Sequence, residues 1–192
     1  MEKYEITEQM LYEMSDNKGE DEKRTLSQLI RSATTAISQT FTDSKLAALK
    51  RISPCNSGPR THNIDIITPH CTAGICSADG LGAIFAPWKR QASCNYGIGN
   101  DGKIILICHE RNRSWCTSSQ MNDQRAVTIE ASSSASAPYP VNETVWAALV
   151  DLCVDICRRN GKTKLLWLGS KEKTFNSPPK KGEMLLSAHR WF

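Results

Sequence analysis

The sequence lacks several patterns that mark particular classes of protein. It has no apolar run of the roughly 18 residues that a membrane helix needs, so no membrane span is predicted. None of its eight cysteines forms a Cys-x-x-Cys pair, the usual mark of a zinc finger or a redox motif. The helical zinc signature His-Glu-x-x-His is absent as well. The N-terminus shows no basic stretch followed by an apolar one, and a signal peptide is therefore not expected.

The composition is that of a folded chain. Hydrophobic residues make up 40% and charged residues 23%, which argues against a disordered protein. A chain of 192 residues is long enough to bury a core. The net charge of +4 could attract anionic polymers, but basic residues do not interleave with aromatic ones, and nucleic acid is not expected as a partner. Without a secretion signal, the cysteines are expected to be reduced and mostly buried.

Hydrophobic periodicity predicts a main domain over residues 47–192, preceded by a weakly helical extension of unknown function over residues 1–46. Strands are predicted at 64–68, 126–131 and 165–168, and a hairpin joins 96–98 to 103–108 through a Gly-Asn-Asp-Gly turn. Helices are predicted at 78–90, interrupted by Pro87, and at 144–159, capped by Asn142. Strands alternating with helices indicate an α/β fold, with a central mixed β-sheet flanked by helices.

Two histidines are candidate metal ligands. His70 ends a β-branched run and precedes a Thr/Ala/Gly loop, a position from which a side chain projects into a cleft at the sheet end. A neutral imidazole there is a good zinc ligand. A hydrogen-bonded surface histidine explains the same position. His189, near the end of the sequence and close to Trp191 and Phe192, has the same two interpretations.

Further polar residues could act beside such a metal. Glu130 ends an apolar run, where an acid is costly unless it is paired or faces a cleft. A general base explains it, and so does a salt bridge to Arg125 or to another cation. Tyr96, which precedes a Gly-rich turn, could also act beside the metal. The alternative is a core tyrosine whose hydroxyl is hydrogen-bonded within the fold. Trp115 and the Asn122-Asp123 pair lie in a polar, irregular stretch suited to a groove wall or to turns.

Five motifs, in this order, resemble one family. They are HCTAG from residue 70, NYGIGNDG from 95, RSWC from 113, NDQRAVTIE from 122 and HRWF from 189. From about residue 50 to Phe192 the sequence resembles the type-2 N-acetylmuramoyl-L-alanine amidases, which include phage endolysins and bacterial autolysins and are related to the peptidoglycan recognition proteins. No such similarity covers residues 1–46.

The resemblance implies zinc-dependent hydrolysis of the amide between N-acetylmuramic acid and L-alanine in bacterial peptidoglycan. By motif position, His70 and His189 correspond to two zinc ligands. Glu130 corresponds to the acid that activates water, and Tyr96 to a tyrosine that hydrogen-bonds near that water or the substrate carbonyl. The residues expected to contact substrate are Asn95, Trp115 and Asn122.

Two departures from the family pattern bear on this expectation. The family's third zinc ligand, a Cys or Asp in a Cys-Pro-Gly-like motif, follows the second histidine, whereas this sequence ends at Phe192, and weak zinc binding is expected. Where the family has an apolar residue with a backbone N–H donor, this sequence has Pro69. The missing donor is expected to remove a ladder hydrogen bond and to shift His70.

Two other functions stay open at this point. One is a module that holds muropeptide without cutting it, and the other is an unrelated α/β protein whose histidines are structural. The leading expectation is a monomeric amidase that stays in the cytoplasm until it is released and then acts at the bacterial cell wall.

Overall fold

A seven-stranded β-sheet organises the fold. The computed structural model describes residues 39–192, so the predicted helical extension lies outside the described residues except for its last eight positions. The strand order is β1-β5-β4-β7-β3-β9-β8, and a separate two-stranded sheet pairs β2 with β6. Neighbouring strands of the large sheet are parallel except for the antiparallel pair β4 and β5. The predicted fold class, a mixed sheet flanked by helices, is confirmed.

The strands are short, and the longest two lie side by side at the centre of the sheet. These central strands are β3 (Ile66–Cys71) and β7 (Ala126–Ala131). The other strands of the large sheet are β1 (Ala47–Lys50), β4 (Tyr96–Ile98), β5 (Ile104–Leu106), β8 (Lys164–Trp167) and β9 (Glu183–Leu186). The small sheet contains β2 (Asn56–Pro59) and β6 (Asn112–Ser114).

Each α-helix of the described chain begins at a side-chain cap, because Ser and Asn oxygens accept from backbone N–H groups that the first turn leaves unpaired. The helices are α1 (Ala78–Phe85), α2 (Gln120–Arg125), α3 (Glu143–Arg159) and α4 (Lys171–Asn176), with caps at Ser77, Ser119, Asn142 and Ser170. The predicted cap at Asn142 is confirmed. The predicted helix 78–90 ends before Pro87, and a 3-10 turn, Trp88–Arg90, follows it.

The two faces of the large sheet are covered differently. On one face, called the core face here, Ile67, Tyr96 and Ile129 pack against the apolar side of α3 in a single buried cluster. On the other face, called the cluster face, α1 covers only one end, where its Leu81 packs on Ile105 and Ile107. A smaller group covers the other end and contains Ile66, Ala126 and Leu185, with Phe175 of α4 against it. Between these groups α2 lies over the sheet, and its buried Asn122 contacts the Thr68 hydroxyl of β3.

Strand β3 keeps its register at Pro69, contrary to the expected shift of His70. Pro69 pairs with Ile129 and His70 with Glu130, in an unbroken run. Thr72 donates to Ala131 of β7, whereas Ile67 accepts from Ser187 on the β9 side. Alternate residues of a strand direct their backbone groups to opposite neighbours, so the donor that proline lacks falls on the β9 side. There β9 has already ended, and β7 loses no hydrogen bond.

All eight cysteines lie in the described chain and are free thiols, four of them buried. Among residues 39–192, no helix combines the length and apolar character needed to cross a membrane. The buried thiols pack with the apolar core, as small hydrophobic side chains do.

Candidate active site

His70, Glu130 and His189 converge on the cluster face. His70 and Glu130 occupy paired positions near the carboxyl ends of β3 and β7, so their side chains project side by side. His189 opens the 3-10 turn that follows β9. One ligand atom from each of the three residues lies within 4.8 Å of the others. The imidazole centroids of His70 and His189 are 4.0 Å apart, so structural histidines in separate regions are excluded.

The protonation preferences of the two histidines differ. Nδ1 of His70 lies 3.1 Å from Oε1 of Glu130, and this hydrogen bond raises the pKa of His70, although burial opposes it. Burial lowers the pKa of His189, and the nearby charge of His70 lowers it further. The alternative partner proposed for Glu130 is otherwise engaged, because Arg125 forms a bidentate pair with Asp65 at 2.9 and 2.6 Å. Glu130 therefore belongs to the histidine cluster.

The two imidazoles are ligands that zinc prefers, and they supply two of the three protein ligands that a catalytic zinc site normally has. Among the described residues, Nδ1 of His189 is buried with no hydrogen-bond partner. A buried polar atom without a partner costs free energy, and a metal ion is one way to satisfy it. Zinc binds imidazole nitrogen at about 2.0–2.1 Å, so two ligand atoms of one ion lie roughly 4 Å apart or less. The present spacing, within 4.8 Å, is close to that separation.

Tyr96 lies on the opposite side of the sheet, which corrects the expectation that its hydroxyl acts beside the metal. It pairs with Ile129, one position before Glu130, and so points to the core face. The side chain is fully buried. Its hydroxyl donates to Oε1 of Glu110 at 2.6 Å and accepts from the backbone of Ser44 at 2.7 Å. Burial and the Glu110 carboxylate raise the pKa of Tyr96, which keeps the hydroxyl neutral.

Asn95 and Asn122 are both fully buried, so neither contacts a substrate from its present position. The Asn95 oxygen accepts from the Thr128 backbone at 3.0 Å and from the Arg60 guanidinium at 3.2 Å. The Asn122 oxygen faces two buried hydroxyl groups instead of solvent. The expectation that these asparagines bind substrate is therefore corrected, and both hold strands and loops together.

Trp115 does lie beside an open cavity, of about 310 Å³. Its indole donates to Oγ of Ser57 at 2.7 Å and packs edge-on against Trp88, with centroids 5.5 Å apart. Gln91, Arg113, Cys116, Gln120 and Asp123 contribute to the same cavity wall. The cavity and the cluster are linked through α2, which contributes Gln120 and Asp123 to the cavity wall and whose Asn122 contacts Ser187, two residues before His189.

Arg113 is the residue of this cavity that reasoning from the sequence missed. Its Nε is buried and, within residues 39–192, has no hydrogen-bond partner. The only available signal was its place two residues before Trp115 in a family-like motif. A guanidinium in a cavity wall is suited to a carboxylate, which it can bind with two parallel hydrogen bonds.

Asp123 proves to be a buried organising residue of the loop that lines the cavity. Its carboxylate accepts from the backbone of Cys116 at 3.0 Å and of Thr117 at 3.1 Å. It also accepts from the Thr117 hydroxyl at 2.7 Å and from the Asn122 amide at 3.2 Å. A carboxylate with this many donors holds the loop in one conformation.

Comparisons with known proteins give the family. The sequence profile of the N-acetylmuramoyl-L-alanine amidases matches residues 60–169, a range that contains His70 and Glu130 and stops before His189. No curated protein sequence matches the chain.

Several solved structures resemble it at low sequence identity. A selenomethionine derivative of AmpD is 16% identical with a TM-score of 0.49, over 59% of this chain and 75% of that one. PlyL is 14% identical with a TM-score of 0.47, over 74% and 81%. The Staphylococcus aureus hydrolase AmiA, in complex with its ligand, is 11% identical with a TM-score of 0.49, over 83% and 71%. Because the family profile covers more than half of the chain, the protein belongs to the N-acetylmuramoyl-L-alanine amidases, enzymes that act on peptidoglycan.

Proposed function

We propose that the chain is a zinc-dependent amidase that cleaves the bond between N-acetylmuramic acid and L-alanine. His70 and His189 hold the ion in this proposal, and Glu130 is the general base. The observation that carries it is the convergence of these three side chains, with a buried His189 nitrogen that lacks a partner within the described chain. An amide carbonyl is a poor electrophile, and bound zinc supplies a Lewis acid that polarises it and lowers the pKa of water.

Glu130 performs the proton transfers. It is 7% exposed and lies beside His70 in the histidine cluster. Its carboxylate accepts a proton from the attacking water, and then delivers that proton to the departing amine of L-alanine. The hydrogen bond between Glu130 and His70, 3.1 Å long, fixes the orientation of the carboxylate. A positioned base of this kind needs no large movement before the reaction.

The cavity beside the cluster is proposed to hold the stem peptide. Trp115 and Trp88 offer aromatic surface, and 58% of the Trp88 side chain is exposed. Arg113 offers an unsatisfied donor to a peptide carboxylate. Because α2 contributes to the cavity wall and also contacts the segment before His189, a peptide bound there would place its first amide toward the cluster.

The test measures new amino termini of L-alanine released from purified cell walls by the full chain. Removal of metal by a chelator should abolish release, and added zinc should restore it. His189→Ala should stay inactive at any zinc concentration, whereas His62→Ala, a histidine outside the cluster, should match the wild type. Wall binding without any release, in the presence of zinc, would establish a non-catalytic module instead. Release that persists in His189→Ala would overturn the proposed zinc site.

A further inference from the structure

A buried ring of three polar side chains lies directly beneath the histidine cluster. Thr68, Asn122 and Ser187 are all fully buried. The hydroxyls of Thr68 and Ser187 are 2.7 Å apart, and each is 3.1 Å from the carboxamide oxygen of Asn122. We call these three residues the hydroxyl clip. No part of the proposed reaction uses them.

The clip joins the two chain segments that carry the histidines. Thr68 precedes His70 by two residues on β3, so both side chains point to the cluster face. Ser187 precedes His189 by two residues, and the intervening Ala188 has an extended backbone, with φ −130° and ψ 134°. The clip and the imidazoles are therefore successive layers on the same face of the same two segments.

Backbone pairing cannot hold these segments together at this level. The last backbone hydrogen bond between them in the described chain runs from the Ser187 N–H to the Ile67 carbonyl, at 2.9 Å. The next donor on β3 that faces β9 would belong to Pro69, which has none. Beyond this point, the side chains of the clip make the contact between the two segments in place of the ladder.

The direction of the hydrogen bonds in the clip is restricted. Two hydroxyls supply two hydrogens to three short contacts, so one hydroxyl donates to the other and the second donates to Asn122. The amide nitrogen of Asn122 donates to the Asp123 carboxylate at 3.2 Å, which fixes its oxygen toward the hydroxyls. The clip is thus anchored to α2 as well as to both histidine-bearing segments, and a shift of either segment would break a buried hydrogen bond.

We propose that Thr68, Asn122 and Ser187 are positioning residues that set the separation of His70 and His189. The inference rests on the proposed zinc site, because the separation matters most when one ion must contact both rings. Loss of a clip hydroxyl would let the segment after β9 move relative to β3, and the two imidazoles would no longer be held at one distance.

The experiment measures the zinc dissociation constant of Thr68→Val by competition with a chromophoric chelator. We expect affinity to fall roughly tenfold or more, the scale seen when residues supporting metal ligands are replaced. Thr68→Ser restores the hydroxyl and should restore the affinity. The matched control is Thr174→Val, which removes another fully buried hydroxyl, one that donates to the Ser170 carbonyl at 2.8 Å in α4.

Melting of the metal-free proteins separates positioning from general stability. If Thr68→Val and Thr174→Val lose similar stability but only Thr68→Val loses zinc affinity, the clip acts on the site. Equal zinc affinity in Thr68→Val and the wild type would overturn the inference.

A second measurement covers the case in which the wild type binds no zinc, which would defeat the proposed zinc site. In that case, crystal structures of the metal-free wild type and of metal-free Thr68→Val test whether the clip sets the separation of the two imidazoles. Imidazole centroids farther apart in the variant than the 4.0 Å of the wild type would support the positioning role of the clip, and an unchanged separation would refute that role.

Discussion

The two faces of the central sheet use polar residues in opposite ways. On the cluster face, Glu130 and the two histidines meet, and one imidazole nitrogen is left without a partner in the described chain. On the core face, the hydroxyl of Tyr96 is fully engaged by Glu110 and by the backbone of Ser44. The first arrangement leaves a donor or acceptor atom for a ligand, whereas in the second the polar atoms are hydrogen-bonded within the fold.

The difference shows that a shift of one residue along a strand determines whether a side chain faces the histidine cluster or the buried core. Ile129 and Glu130 are neighbours on β7, and they point to opposite faces of the sheet. The partner of Ile129 on β4 is Tyr96, and the partner of Glu130 is Gly97. The face that holds the cluster is covered by the short helices α1, α2 and α4, and α3 covers the other. Variants on the cluster face should therefore lower the cleavage rate, and variants on the core face should lower the free energy of unfolding.

The largest effect is expected for Glu130→Gln. The amide keeps the shape of the side chain but cannot accept a proton, so the cleavage rate should fall by a factor of roughly 10²–10⁴. The measurement is the release of L-alanine amino termini per mole of folded protein. Glu183→Gln serves as the control, since Glu183 lies on β9 of the same sheet and accepts from the Lys180 backbone. A Glu130→Gln variant with wild-type rate would remove Glu130 from the reaction.

The strand that carries Glu130 shows what the sequence could predict. The apolar run of β7 and the amphipathic, Asn-capped α3 carry strong local signals, and both were predicted within one residue of their bounds. Strand β6, with the sequence Asn-Arg-Ser, and the four-residue β9 have no comparable pattern. Their conformation depends on pairing with β2, β3 and β8, which is a property of the tertiary fold.

The second effect, on the core face, is expected for Arg159→Met. The Arg159 guanidinium lies 2.6 Å from Glu110, whose side chain is 1% exposed. Removing the cation leaves that carboxylate buried without its charge partner, which should cost about 3 kcal/mol of unfolding free energy. Urea denaturation measures the loss, and the cleavage rate per folded molecule should stay unchanged. Arg158→Met, on the exposed side of the same helix, should change neither quantity.

For the site, the resemblance brought together residues that no local pattern could connect. His70 and His189 are far apart in the sequence, and only the parallel pairing of β3 with β9 places them on one face. The same resemblance was misleading for Tyr96, and the substrate contacts expected of Asn95 and Asn122 do not fit their burial. Motif letters do not state which face a side chain takes or whether it is buried, because those properties follow from strand register and packing.

The smallest effect is expected for Tyr96→Phe, and it tests the comparison most directly. Without the hydroxyl, Glu110 loses a 2.6 Å donor and the Ser44 N–H loses its acceptor, while the ring still fills the core. Hydrogen bonds to charged groups contribute about 1.5–3 kcal/mol, so the unfolding free energy should fall by about 2 kcal/mol. The cleavage rate should not change, because the hydroxyl lies on the side of the sheet away from Glu130.

Tyr139→Phe, which removes a hydroxyl from a side chain that is 40% exposed, provides the control for stability. A Tyr96→Phe variant that keeps its stability but loses activity would return Tyr96 to the reaction and would mean that the two faces are not separate.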